Sequence, residues 1–214
     1  MVITHHGGEF IKITQGESTL AFNPISKDSK LSGPKFGADI VLITTADKDF
    51  NGVDQVTRGD QDLFVIAGPG EYEVDKIFIK GFPSVSQYGG KERLNTIYTV
   101  VLEGMNICFL GALSGNNSGN NIDPKIFEDV DGIDILFVPI GGEGVLTPAE
   151  AHRVGVKLEA HIIVPMHYDG IGEKDALKTF LKEGGGSKEK PVEKLTLKKK
   201  DVEGRVGDII VVSS

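Results

Sequence analysis

Cysteine is almost missing from this 214-residue chain. Cys108 stands alone, which excludes an internal disulfide and any cysteine-rich zinc module. It lies inside the apolar run 107–110 and is expected to be a buried small hydrophobe. Excess basic charge is missing too. Against 31 Asp and Glu there are 23 Lys and Arg, for a net charge of −8, so the surface is not built to displace counterions from phosphates and nucleic acid is not an expected partner. The run Lys198, Lys199, Lys200 is the local exception and reads as a solvated strand end or hairpin turn. No segment approaches the ~18 consecutive apolar residues of a membrane span. The opening residues carry no basic stretch followed by an apolar one, so the expectation is a cytoplasmic protein with no membrane partner. Neither G-x-x-x-x-G-K-S/T nor G-x-S-x-G occurs, which argues against a nucleotide P-loop and a serine hydrolase, although His6-Gly7-Gly8 has the form of an esterase oxyanion segment.

With 39% hydrophobic and 25% charged residues, the chain can bury one substantial core, and residues 1–214 read as a single domain. Short runs of β type fill the first half, at 2–4, 10–14, 19–22, 40–44, 63–67, 72–82, 95–102 and 105–110, most of them bounded by Gly, Asn, Asp or Pro. Glu103-Gly104 between two such runs predicts a tight hairpin. In the second half, helical stretches at 123–130, 148–158 and 174–183 alternate with strands at 135–139 and 161–166. Thr147-Pro148 with Glu150 supplies an N-cap and an N1 proline for the middle helix. Residues 184–190 read as a superficial loop, and 192–197 with 208–212 as a closing hairpin. Strands first and alternating units later predict an α+β fold: a four-layer αββα sandwich of two mixed sheets with outer helices.

Candidate chemistry concentrates in VLITTADKDFNG at 41–52. A hydrophobic strand runs into a polar loop holding Asp47 and Asp49, the place where a metal loop would follow a buried strand. A hydrolytic zinc site takes about three protein ligands and keeps a position for water, and this loop offers two. Asp47, Asp49 and His167 together would make a mononuclear, oxygen-rich site suited to Mn²⁺ or Mg²⁺ as well as zinc. In the structural reading, which is favoured, Asp49 accepts backbone N–H bonds in its own loop and His167 is a satisfied strand-end histidine. His5 and His6 would point to opposite faces of an extended segment. His152 and His161 read as surface or interface residues. The loop 114–121, SGNNSGNN, could form an anion nest, with a plain turn as the default. Gly68-Pro69-Gly70 reads as a turn into a strand.

An ordered series of segments gives a family likeness: ITHHGGEFIKI at 3–13, TLAFNP at 19–24, VLITTADKDFNG at 41–52, AGPGEYEV at 67–74, IKGFPS at 79–84, NTIYTV at 95–100, ICFLGALS at 107–114, DILFVPIGG at 134–142 and VPMHY at 164–168. Their order over nearly the whole chain resembles the metallo-β-lactamase-fold hydrolases, in particular a small bacterial group of Zn-dependent hydrolases. The resemblance implies a T-H-x-H-x-D-H loop, whose positions fall on Thr45, Asp47, Asp49 and Phe50, so that the aspartate alone matches. A further ligand histidine falls on Ser86, the bridging aspartate on Ala112, and the last histidine is kept as His167.

Read this way, most metal ligands have been replaced, and the hydroxide that a cation generates has no such cation to form on. The expectation is a metallo-β-lactamase-fold protein with a degenerate metal site, a non-catalytic binding or assembly module. Its cleft would be lined by Thr45, Asp47, Asp49, Ser86, Ala112, Ser114 and His167. The alternative is a metal-dependent hydrolase with a reduced site at Asp47, Asp49 and His167. No cofactor is expected from the residues themselves, while the resemblance implies zinc or manganese. The partner would be a small molecule or a protein, with a homo-oligomer as a further option.

Overall fold

In the computed structural model, which describes residues 1–59, 62–115, 132–185 and 190–214, strands form where apolar residues recur at every second position or in a short unbroken run. Val2–His5 (β1) buries Ile3 and His5, and Ile11–Gln15 (β2) buries Ile11 and Ile13. With Ser18–Phe22 (β3), Ile40–Leu42 (β4), Phe64–Ile66 (β5) and the short Leu195–Thr196 (β12) they build a sheet in the order β12-β1-β2-β3-β4-β5. The pairings are antiparallel up to β3 and parallel from β3 to β5.

The second sheet uses Gly70–Val74 (β6), Ile77–Ser86 (β7), Arg93–Leu102 (β8), Met105–Phe109 (β9), Ile135–Pro139 (β10), Ile162–Met166 (β11) and Asp208–Ile209 (β13), in the order β13-β11-β10-β9-β8-β7-β6. Here the hairpin half is antiparallel and the half built from crossovers is parallel. The two sheets meet in one apolar core. Phe22 of the first stacks on Phe109 of the second at 4.8 Å, among Ile3, Leu20, Leu42, Ile107 and Phe137. Helices Pro148–Lys157 (α1) and Ala176–Glu183 (α2) cover the outer face of the second sheet, placing Ala151, Val154 and Phe180 against Cys108, Leu136 and Ile163. The outer face of the first sheet is covered differently: Phe36 and Val53, from loop and a 3-10 turn at Val53–Gln55, pack on Phe10, Val41 and Ile43. Two mixed sheets with helices outside are the predicted sandwich.

Three local readings change. The run 72–82 is two strands, because the chain turns at Asp75 and Lys76, both at positive φ (49° and 66°), and neither is the glycine that signals such a turn. The closing hairpin does not form: β12 pairs with β1 and β13 runs parallel to β11, so the two end segments join different sheets and touch each other through the single bridge Val192–Val212. The lysine run is no strand end but lies at a 3-10 turn, Lys199–Asp201, with Lys199 paired to Asp134 at 2.7 Å. Other expectations hold. Glu103-Gly104 is a two-residue turn with both φ positive, α1 has a capping box of Thr147 with Glu150, and Cys108 is buried. The predicted helix 123–130 and most of the loops 114–121 and 184–190 lie outside the described residues. Among the described residues no helix is long and apolar enough to cross a membrane.

Candidate functional site

Strand β11 ends at Met166, and the next residue, His167, takes the left-handed conformation at φ 61°. This is sparsely populated for a side chain of its kind and is held by its surroundings. Its N–H donates to the Gly8 carbonyl at 2.7 Å. The loop carrying Gly141 presses against it so closely that a Cβ there would lie 2.2 Å from the His167 carbonyl oxygen, which restricts that position to glycine.

This backbone aims the imidazole into the protein. Nδ1 of His167 lies 2.6 Å from Oε1 of Glu9, and neither side chain has any solvent exposure. The other carboxylate oxygen of Glu9 accepts from Asn23 Nδ2 at 2.7 Å, and the same amide nitrogen donates to Thr44 Oγ1 at 2.8 Å. With the Glu9 carboxylate as acceptor, Nδ1 of His167 donates to it. Nε2 is buried and has no hydrogen-bond partner among the described residues.

What surrounds His167 is aromatic. Tyr88 meets the ring edge-on at 5.2 Å, Phe50 lies at 5.9 Å, and the two aromatic rings are 4.9 Å apart. Ala112, Val145 and Ile171 complete this apolar cluster. Phe50 and Ala112 occupy positions that the family likeness gives to a histidine and to the bridging aspartate. The sequence register and the geometry therefore converge on one place.

The two loop aspartates are already engaged. Asp49 accepts hydrogen bonds from the hydroxyls of Ser29 and of Tyr88, the latter at 2.8 Å, and lies 3.6 Å from Lys48. Burial pushes its carboxyl up, but the hydrogen bonds from Ser29 and Tyr88 and the Lys48 charge outweigh that, so it sits below the ordinary carboxylate range. Burial and the bond to Asp49 hold the Tyr88 phenol protonated, well above its ordinary value. Asp47 pairs with Arg93 at 3.2 Å, while its Oδ1 accepts from the Asp49 N–H.

The predicted site residues thus fall into three groups. Asp49, Ala112 and His167 gather around Phe50 and Tyr88. Ser86 and Ser114 serve the backbone: Ser86 Oγ accepts from the Tyr88 N–H, and Ser114 Oγ donates to the Val85 carbonyl. Thr45 and Asp47 lie to the other side, toward Arg93. Among the described residues no group of three or more His, Cys, Asp or Glu could hold a metal ion, so Asp47, Asp49 and His167 are not assembled as a ligand set. The hydroxyls that donate to Asp49 come from distant segments, and Lys48 beside it adds a charge, where backbone N–H donors of a self-contained loop are expected. His167 is satisfied on one nitrogen only. Glu9, Asn23, Tyr88 and Arg93 were not read as site residues. Glu9 gave the one usable signal, a carboxylate directly before the buried strand at 10–14.

Comparison with known proteins agrees with this architecture. The beta-lactamase superfamily domain matches residues 2–167. A metal-dependent hydrolase of Bacillus licheniformis is 22% identical in an alignment that covers 78% of this chain and 85% of the relative, and one of Bacillus velezensis is 26% identical in an alignment that covers 79% of this chain and 86% of the relative. A solved structure of a metallo-beta-lactamase superfamily protein from Thermotoga maritima superposes with a TM-score of 0.75 and 26% identity, covering 99% of each chain. The metallo-beta-lactamase fold protein YhfI from Bacillus subtilis, 11% identical, has a TM-score of 0.61, covers 100% of this chain and 96% of its own, and shares the fold alone. The chain belongs to the beta-lactamase superfamily, in its family of metallo-β-lactamase-fold, metal-dependent hydrolases.

Proposed function

We propose that the metal site of this protein is degenerate and that the protein works as a non-catalytic binding or assembly module, cytoplasmic and single-domain, through a cleft on the side where Thr45 and Asp47 lie toward Arg93. The observation that carries this reading is the packing of Phe50 and Tyr88 against the His167 ring. A cation acidifies water because it stabilises hydroxide, and that needs several anionic or imidazole donors converging on an open position. Aromatic carbon and the Ala112 methyl group stand where those donors are needed, and the nearby carboxylates are neutralised by Arg93, Lys48 and hydroxyl donors. The occupant of the cleft would be a small molecule or a protein. A second copy of this chain would raise the solution mass above 23.0 kDa.

One observation favours a second reading, a hydrolase with a reduced mononuclear site. His167 has a carboxylate on Nδ1 and a bare Nε2, the arrangement in which ligand histidines are commonly oriented. Asp47 and Asp49 would be its other ligands, after leaving Arg93 and Tyr88, and zinc or manganese would supply the activated water. Elemental analysis of desalted protein after incubation with Zn²⁺ and Mn²⁺ decides between the two. Metal at background level in the wild type and in His167→Ala and Asp49→Ala is the expected result. Near-stoichiometric metal in the wild type that disappears in both variants would overturn it.

A further inference from the structure

The end of β4, the edge strand β5 and the start of β8 enclose a pocket of about 510 Å³, separate from the aromatic cluster at His167. We propose that this pocket binds a small apolar molecule ended by a single hydrogen-bond acceptor head, a carboxylate or a neutral carbonyl. The proposal rests on the reading of the chain as a binding module and names the class of ligand.

The size lies within the roughly 300–1,000 Å³ of small-molecule sites. Its walls are mainly apolar, with Val53, Val65, Ala67 and Leu94 among them. Val65 and Leu94 are about half exposed, at 47% and 54%, so folding leaves apolar surface in water here that a ligand could cover. Strand β5 is the last of its sheet, which keeps the pocket open on that side.

Arg93 is the one charged residue of the wall among the described residues. Arg93 is held rigidly, with Nη1 donating to the Tyr88 carbonyl at 2.8 Å and Nη2 paired with Asp47 at 3.2 Å, which uses two of the five N–H groups of a guanidinium. Asn51 adds an amide. Thr45 is almost wholly buried, and its Oγ1 has no hydrogen-bond partner among the described residues, a deficit that native interiors rarely leave unfilled. Among the described residues, no Asp or Glu lines the pocket. An acceptor head would therefore be met by the guanidinium and the neighbouring donors, whereas an ammonium head would find no anionic partner. Because Asp47 already offsets part of the Arg93 charge, a neutral carbonyl fits along with a carboxylate.

The test is an amide-resolved NMR titration of the full chain with octanoate, octanamide and octylammonium. Octanoate and octanamide are expected to shift the Ala46, Asn51 and Leu94 amides saturably and at one site, with octylammonium leaving them unmoved although the protein carries net negative charge. Arg93→Gln should weaken octanoate tenfold or more. Since that change also frees Asp47 and Tyr88, Val65→Asp provides a second arm: at this exposed position it puts a carboxylate into the wall and should weaken octanoate by a similar factor with the rest of the spectrum unchanged. Absence of saturable shifts at those amides, equal binding of octylammonium, or wild-type affinity in both variants would overturn the proposal. Metal uptake at His167 would sink the non-catalytic reading and leave these titrations unaffected, so the two can fail separately.

Discussion

His167 Nδ1 lies 2.6 Å from Glu9 Oε1, and the pair joins the first strand turn of one sheet to the end of β11 in the other with no water contact. Removing one member of such a pair strands the other as an uncompensated buried charge or dipole, which destabilises by roughly 3–5 kcal/mol. Glu9→Ala and His167→Ala are each expected to lower unfolding free energy by about that amount in urea. The double variant should lose less than the sum, because the second change removes a group already unpaired. Additive losses would mean that the two side chains do not support each other.

Phe50 is completely buried between Tyr88, His167, Ala112 and Val145. Phe50→Ala removes this packing and leaves a cavity beside His167, with an expected loss of roughly 3–5 kcal/mol, while Phe50→Leu keeps part of the volume and should lose less. Equilibrium unfolding of the two variants measures both. A loss below about 1 kcal/mol for the alanine variant would show that the cluster is loosely packed, and the argument that it fills the metal position would go with it.

The frame of the molecule was legible because it is written in local pattern. Period-2 runs marked β1 and β2, an unbroken apolar run marked β10, and Thr147 with Glu150 marked the start of α1, since capping is decided within four residues. The turn at Asp75 and Lys76 was missed because neither residue needs positive φ by itself; pairing of β6 with β7 imposes it. The same holds for β12 and β13, two residues each, whose places are fixed by strands far away in the chain. In the site, Asp49, Ala112 and His167 could be named from motif positions. Their partners could not: Glu9 meets His167 across 158 residues and Tyr88 meets Asp49 across 39, and no spacing rule links them.

Acid should destabilise the protein through its first two histidines. Burial, then the Lys12 charge and His5, hold the His6 imidazole down at about 4, compared with an ordinary value of 6.5. His5 is lowered by burial as well, though the carbonyls of Gly8 and Val212 partly offset this. Depressed values mean that the unfolded chain binds more protons, so the stability from these residues is complete above pH 6.5 and is lost as pH falls toward 4. The urea midpoint should drop between pH 7 and pH 4.5, and His6→Gln should flatten part of that slope. An unchanged slope in the variant would refute the assignment to His6.

Gly111 and Gly104 separate two reasons for requiring glycine. Both have positive φ, 60° and 71°, so alanine pays a similar conformational penalty of about 1–2 kcal/mol at either. Their surroundings differ. A Cβ on Gly104 would meet nothing within 4 Å, whereas on Gly111 it would lie 2.5 Å from Thr44 Oγ1 and 2.6 Å from Asn95 Oδ1. Those atoms cannot simply move away: Thr44 Oγ1 accepts from Asn23, which also holds Glu9, and Asn95 donates to Ser84 and to the Leu110 carbonyl. Gly111→Ala is therefore expected to exceed the loss in Gly104→Ala by about 1–3 kcal/mol, the size of an overpacking penalty. Unfolding curves of the two variants give the comparison. Equal losses would mean that Thr44 and Asn95 yield freely, and that the hydrogen-bond chain running from Thr44 through Asn23 to Glu9 and His167 is softer than its geometry implies.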